Sequence, residues 1–226
     1  MAELTGPISH VALADAVYDR IIQQIMDGTL RPGSPLRIAP MAATAGVSHT
    51  PVREALARLE GTGLVQRLSM RGFIVAPPMD GEALRQLTDV RILIEPRIAE
   101  LACRNASPEL VARLEESQRV ARSTPGGQRY EDYRSYLDAS TEFHSIIGDA
   151  CGNPFLLQAL SALPVHVQRF RLFGKEGVTD AEISIAEHQH VLDAIAAHDP
   201  EAAREAMRDH VEGVHARATA GAATSS

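Results

Sequence analysis

The 226-residue chain is 45% hydrophobic and 23% charged, carries a formal net charge of −7 and has two cysteines, Cys103 and Cys151. That length holds one large domain or two ordinary ones with buried cores, while two thiols are too few for a disulfide scaffold or a thiolate metal site. No apolar run approaches the roughly 20 residues that span a bilayer, and MAELTGPISHVALADAV lacks a basic stretch followed by an apolar core, so a soluble protein of a reducing cytoplasm with no membrane partner is expected.

The charge is unevenly placed. Residues 1–78 hold seven Arg and six acids, a net +1, against fifteen Lys plus Arg and twenty-three acids in residues 79–226, a net −8. Within residues 31–71, six Arg face only Glu54 and Glu60, a local +4 that attracts phosphate even in an anionic molecule.

In chain order, Val17, Ile21, Ile22 and Ile25 predict a helix over Val11–Asp27 that stops at Gly28 before the turn LRPGSPL. A short helix over Ala39–Ala45 follows, ended by Gly46. Ser48 or Thr50 can cap a third helix, in whose first turn Pro51 costs no hydrogen bond. That helix runs to about Glu60, with Val52, Leu56 and Leu59 as its buried stripe and Arg53 and Arg58 pointing to solvent or a ligand. GTG breaks it, and LVQRLS and FIVAP, joined by MRG, read as two strands and a glycine turn.

Helix, helix, turn, helix and β-hairpin is the winged helix-turn-helix plan, in which the last helix enters the major groove of DNA and the hairpin tip reaches beside it. Ser48, His49, Thr50 and Arg53 then lie on the first turn of the recognition helix, where side chains reach base edges and the positive helix end favours phosphate. Arg71 and Gly72 form the wing tip, a guanidinium suited to a narrow minor groove beside a residue that lets the backbone approach the sugar-phosphate chain. The alternative is that these Arg are solvated surface charges. LRPGSPL, AATAGVSHTPVREALARLEGTGLV and RGFIV together resemble the DNA-binding domain of GntR-type bacterial transcription regulators. Two departures from that family, His49 where Arg is common and Ala39 where a charged residue is frequent, imply a different base preference.

The remainder predicts helices over 80–104, 107–122, 128–150, 153–173, 179–197 and 200–218, separated by Ser-Pro, Pro-Gly-Gly, Gly-Asn-Pro, Gly and Asp-Pro. Pro96 should kink or split the first. The expected fold is mainly α: a winged helix-turn-helix domain with a small β-hairpin over 1–78, an all-α bundle over 79–218, and a disordered tail, including AGAATSS, over 219–226.

Three histidines recur in specific settings, His144 in EFHSII, His188 in AEHQHVLDAI and His210 in AMRDHVEGV, each on a different helix. Imidazoles converging from separate helices bind a divalent metal such as Zn²⁺, Ni²⁺ or Fe²⁺. Each reads equally as a hydrogen-bonded core residue, because spacing along one helix does not establish that three helices meet. His190 falls two residues from His188, off its face, and His166, His198 and His215 carry no signal.

DVRILIEPRIAELA, Phe143-His144, GNPFL at 152–156, EHQHVLDAI and HDPEAAREAMRDHV are similar to the FCD ligand-binding domain of the FadR subfamily of GntR regulators. The resemblance implies a homodimer joined through the helical domain, a short palindromic operator in bacterial nucleoid DNA, and a cavity for a small organic or sugar acid. It also implies a metal held by an Asp and three His, whose His positions fall on His144, His188 and His210. The Asp position falls on Ser140, and Asp138, six residues before His144, lies about 240° around the helix. Three His alone form an open site that water or the effector completes. For an effector carboxylate, Arg91 is the first candidate, with an i,i+4 ion pair to Glu95 as its alternative role. Arg171, Arg134 and Ser140 follow, and Asn153 is either a contact or a helix cap. A metal-free effector pocket is the second reading of the same regulator. A metallohydrolase with Glu142 or Glu187 as general base is the third.

Overall fold

A computed structural model describes residues 10–69, 72–123, 129–163, 178 and 180–224. The chain divides into two compact units, residues 1–78 and 79–226.

The first unit contains α1 (His10–Met26), β1 (Pro35–Leu36), α2 (Ile38–Ala45), α3 (His49–Gly61), β2 (Val65–Leu68) and β3 (Gly72–Val75). Val17, Ile21, Ile22 and Ile25 of α1 are buried, as are Val52, Ala55, Leu56 and Leu59 of α3. The two stripes pack together, and fully burying side chains of this size stabilises by about 1.5–3 kcal/mol each. The strands form an antiparallel sheet in the order β1-β3-β2, with Arg67 opposite Phe73 and Leu68 opposite Gly72. The two-residue β1 lies inside the expected turn LRPGSPL, pairing Pro35 with Ile74 and Leu36 with Phe73. A strand this short leaves no alternation to read, and Pro35, lacking an N–H, suits an edge.

Gly46 turns the chain between α2 and α3 with φ of 67°, its N–H bonding back to Ala42 and Ala43, a left-handed conformation that glycine adopts without strain. Ser48 takes the N-cap position of α3 in extended conformation, but its hydroxyl makes no capping bond. Thr50 lies inside the helix, so the expected hydroxyl cap does not form.

The second unit contains α4 (Gly81–Arg104), α5 (Pro108–Ser123), α6 (Tyr130–Ala150), α7 (Pro154–Ser161), α8 (Ala181–Ala196) and α9 (Pro200–Thr224). Its core gathers Ile98, Ala102, Leu114, Phe143, Ile146, Ile147, Val191, Ile195, Met207 and Val211 from five of these helices. Of the kink or split expected at Pro96, the split does not occur: α4 continues through it to Arg104. Pro96 is itself buried, and packing of the helix along α9 and α6 offsets the one hydrogen bond that proline removes. The expected helix over 153–173 appears as the eight-residue α7, and residues 164–177 lie outside the described set. The tail expected to be disordered from 219 is helical through Thr224, because Val214 and Ala218 are buried and carry α9 onward.

Candidate metal centre and nucleic-acid interface

His49, Thr50 and Arg53 stand exposed on the first turns of α3, with Ser48 exposed just before it. Pro51 and Val52 between them face the core, so the helix period divides buried from free positions. Gly72 opens β3 with φ of 86° and is exposed. Arg71 lies outside the described residues. Arg58 is not free for a ligand: its guanidinium pairs with Asp15 and sits 4.4 Å over the Tyr18 ring, tying α3 to α1.

In the second unit, His144 from α6, His188 from α8 and His210 from α9 meet. Their ring centroids lie 4.5–5.2 Å apart, and one ring nitrogen from each falls within 4.8 Å of the others. All three are buried, at 5%, 1% and 1% exposure. Phe143 stacks flat on His188 with centroids 4.4 Å apart and an interplanar angle of 10°, fixing that ring by an apolar face.

Carboxylates fix the other two. Glu95 Oε2 lies 3.3 Å from His144 Nδ1, and Glu187 Oε2 lies 2.9 Å from His210 Nδ1. An ionised carboxylate only accepts, so each Nδ1 carries a proton, and in the neutral imidazole it is Nε2 that holds the lone pair a metal would take. Each Glu is itself clamped by an Arg. Arg91 donates Nε to Glu95 Oε1 at 2.6 Å and Nη2 to Oε2 at 3.3 Å. Arg217 donates Nη1 and Nη2 to Glu187 at 2.6 and 2.8 Å, and Nε to Asp180 at 2.8 Å. Burial pushes the Glu95 carboxyl up, but the Arg91 charge and the His144 hydrogen bond overcome it and hold the group well below the usual carboxylate range.

This donor set fits a divalent transition metal. Three neutral imidazoles suit Zn²⁺, Ni²⁺ or Fe²⁺, and one ligand nitrogen from each of three different helices lies within 4.8 Å of the other two. Ser140 is buried one turn before His144 and offers only a hydroxyl. The carboxylate absent there is not restored by Asp138, which is exposed and pairs with Arg134 at 3.6 Å.

The effector candidates fare differently. Arg91, expected first for an effector carboxylate, is committed to Glu95, because the i,i+4 spacing puts both on the buried face of α4. Arg134 is taken by Asp138, Asn153 caps α7 by accepting from Phe155 and Leu156, and Arg171 lies outside the described residues. A groove of about 720 Å³ between α5 and α6 is rimmed by Arg113, Glu116, Asp138 and Glu142; none of the three His lines it. Glu142 is exposed and pairs with Arg113 at 3.3 Å, and Glu187 is bound to Arg217, so neither acts as a free base at the cluster. His190 and His198 are exposed, and His215 Nδ1 meets Thr88 Oγ1 at 3.0 Å. The roles of Glu187 and Arg217 toward His210 had no sequence signal, since they join residues of different helices. Glu95 had one: its spacing from Arg91.

Residues 13–75 match the family described as bacterial regulatory proteins, gntR family, and residues 86–213 match the FCD domain. A Paenarthrobacter nicotinovorans protein described as a probable D-xylose utilization operon transcriptional repressor is 30% identical, over 90% of this chain and 88% of its own. The Escherichia coli transcriptional regulator McbR is 27% identical over 91% of this chain and 92% of its own. Its solved structure aligns over 92% of this chain and 97% of that one, with a TM-score of 0.72 and 23% identity. A metal-free FCD domain of another regulator shares the fold, with a TM-score of 0.50, 21% identity and coverage of 66% of this chain and 99% of that one. FCD domains can bind metal, and this one contains a three-His group. The chain belongs to the GntR family of bacterial regulatory proteins, pairs its DNA-binding domain with an FCD domain as the FadR subfamily does, and is a ligand-responsive DNA-binding transcription regulator rather than an enzyme.

Proposed function

We propose that the helical unit senses a small carboxylate effector at a divalent metal, Zn²⁺ first, held by His144, His188 and His210, and that occupancy controls operator binding by the N-terminal unit. The observation that carries this is the convergence of three buried imidazoles from three helices, with ligand atoms within 4.8 Å. A metal bound there supplies an open coordination position for a carboxylate oxygen. The chain's own residues do the rest: Glu95 and Glu187 orient two rings, Phe143 orients the third, and burial excludes water. Arg91 acts on the effector only through Glu95 and His144.

On the DNA side, Ser48, His49, Thr50 and Arg53 read the major groove, and Arg71 and Gly72 meet the flanking minor groove. One recognition helix reads only a few base pairs, so adequate specificity requires a homodimer on a short palindrome.

The test is calorimetric titration with Zn²⁺ and thermal unfolding of the wild type and of His144→Ala, His188→Ala and His210→Ala. Zn²⁺ at a hundred times its Kd should stabilise the wild type by about 2.7 kcal/mol, and each substitution should remove that gain. Organic acids are then screened against the zinc-loaded protein for a further thermal shift. Absence of zinc binding in the wild type would leave the three His as polar core residues and favour a metal-free effector pocket.

A further inference from the structure

Behind His210 lies a polar network whose geometry depends on a glycine. His210, Gly213 and Arg217 follow one another at i, i+3 and i+7 along one face of α9, opposite Asp180, Ser184 and Glu187 at the start of α8. A Cβ at Gly213 would lie 2.5 Å from Glu187 Oε1 and 2.9 Å from Arg217 Nη1. The Glu187 carboxylate therefore occupies the space that any larger residue at 213 would fill. It cannot simply swing aside, because both oxygens are pinned. Oε1 accepts from Arg217 Nη1 at 2.6 Å, and Oε2 accepts from Arg217 Nη2 at 2.8 Å and His210 Nδ1 at 2.9 Å. Arg217 is anchored in turn by Asp180 at 2.8 Å and the Ser184 hydroxyl at 3.2 Å.

We infer that Gly213, Glu187 and Arg217 act as positioning residues for the metal centre: the glycine opens the space for the Glu187 carboxylate, Arg217 fixes that carboxylate in plane, and the carboxylate holds His210 in its Nδ1–H tautomer with Nε2 as the ligating nitrogen. This rests on the metal reading above. A planar guanidinium presenting paired donors suits the task, since it fixes the orientation of a carboxylate as well as neutralising it. Outer partners of this kind set the tautomer and basicity of a ligating imidazole. A Gly213→Ala methyl displaces the Glu187 carboxylate from its place between Arg217 and His210.

The experiment uses the full-length chain and four variants: Gly213→Ala, Glu187→Ala, Arg217→Met, and the double Gly213→Ala/Glu187→Ala. Alanine is the better helix former, so the glycine substitution leaves α9 intact, which circular dichroism checks. Zinc affinity should fall roughly ten- to hundredfold in each single variant. The double variant should bind no more weakly than Glu187→Ala alone, because removing the carboxylate also removes the clash. Independently of metal, nitrogen-15 spectra of the chelated protein should show the His210 ring proton on Nδ1 in the wild type and displaced toward Nε2 in Gly213→Ala. Wild-type zinc affinity and an unmoved ring proton in Gly213→Ala would overturn the inference alone. A double variant weaker than Glu187→Ala would also overturn it, by showing that the glycine acts elsewhere. A wild type that takes no zinc would overturn the metal reading, and the ring proton then decides: displacement in Gly213→Ala upholds the positioning role, and no displacement ends it.

Discussion

Glu95 Oε2 and His144 Nδ1 lie 3.3 Å apart, joining α4 to α6 through side chains that are 2% and 5% exposed. The same carboxylate takes two donors of Arg91, so one group neutralises a buried cation and orients the His144 ring. Glu95→Gln keeps the volume but removes the charge, leaving Arg91 buried without its counterion. Breaking a buried pair from one side costs about 3–5 kcal/mol, and urea unfolding should register a loss of that order. A loss under about 1 kcal/mol would place the pair in water, where such interactions are weak.

Ser140→Asp should tighten zinc by roughly one to two orders of magnitude, the range over which changes around a metal site act. The substitution places a charged oxygen one turn before His144 on the same face of α6. If the effector is a carboxylate completing the metal shell, the same variant should bind it more weakly by filling the open position. Calorimetry with Zn²⁺ and then effector decides, and equal zinc affinities in the two proteins would contradict the placement.

Arg53 and Arg58 sit on one helix and should behave differently. Arg53→Ala should cost about 1–3 kcal/mol of operator affinity if it reads a base edge. Arg58, engaged by Asp15 and Tyr18, should instead affect stability by about 0.2–1 kcal/mol, as half-exposed pairs do. Operator titrations at several salt concentrations, alongside thermal unfolding, separate the two. Intact operator binding by a folded Arg53→Ala protein would rule out the recognition-helix assignment.

Operator binding should require two copies. Sedimentation should show a dimer at micromolar concentration, and halving the palindrome should weaken binding by several orders of magnitude, approaching non-specific affinity. A monomer with full operator affinity would contradict the homodimer.

The sequence by itself determined the elements and their chemistry. Apolar residues at helical spacing placed the buried faces of α1 and α3, turn residues separated the helices, and the Arg excess in residues 31–71 gave that stretch a local charge of +4, because each is a local property that period, backbone preference or composition encodes. The three His and the substitution at Ser140 were legible through family resemblance. Tertiary structure alone decided that the His meet, that Arg91 serves Glu95 and His144, that Arg58 is bound to α1, and that Glu187 passes over Gly213 to His210. These last relations join side chains on different helices, whose facing positions depend on packing angle and register; for Arg91 and Glu95 the spacing was visible, but burial, which makes the loss of either partner costly, was not. Pro96 inside an unbroken α4 has the same reason: burial against neighbouring helices outweighs one missing hydrogen bond.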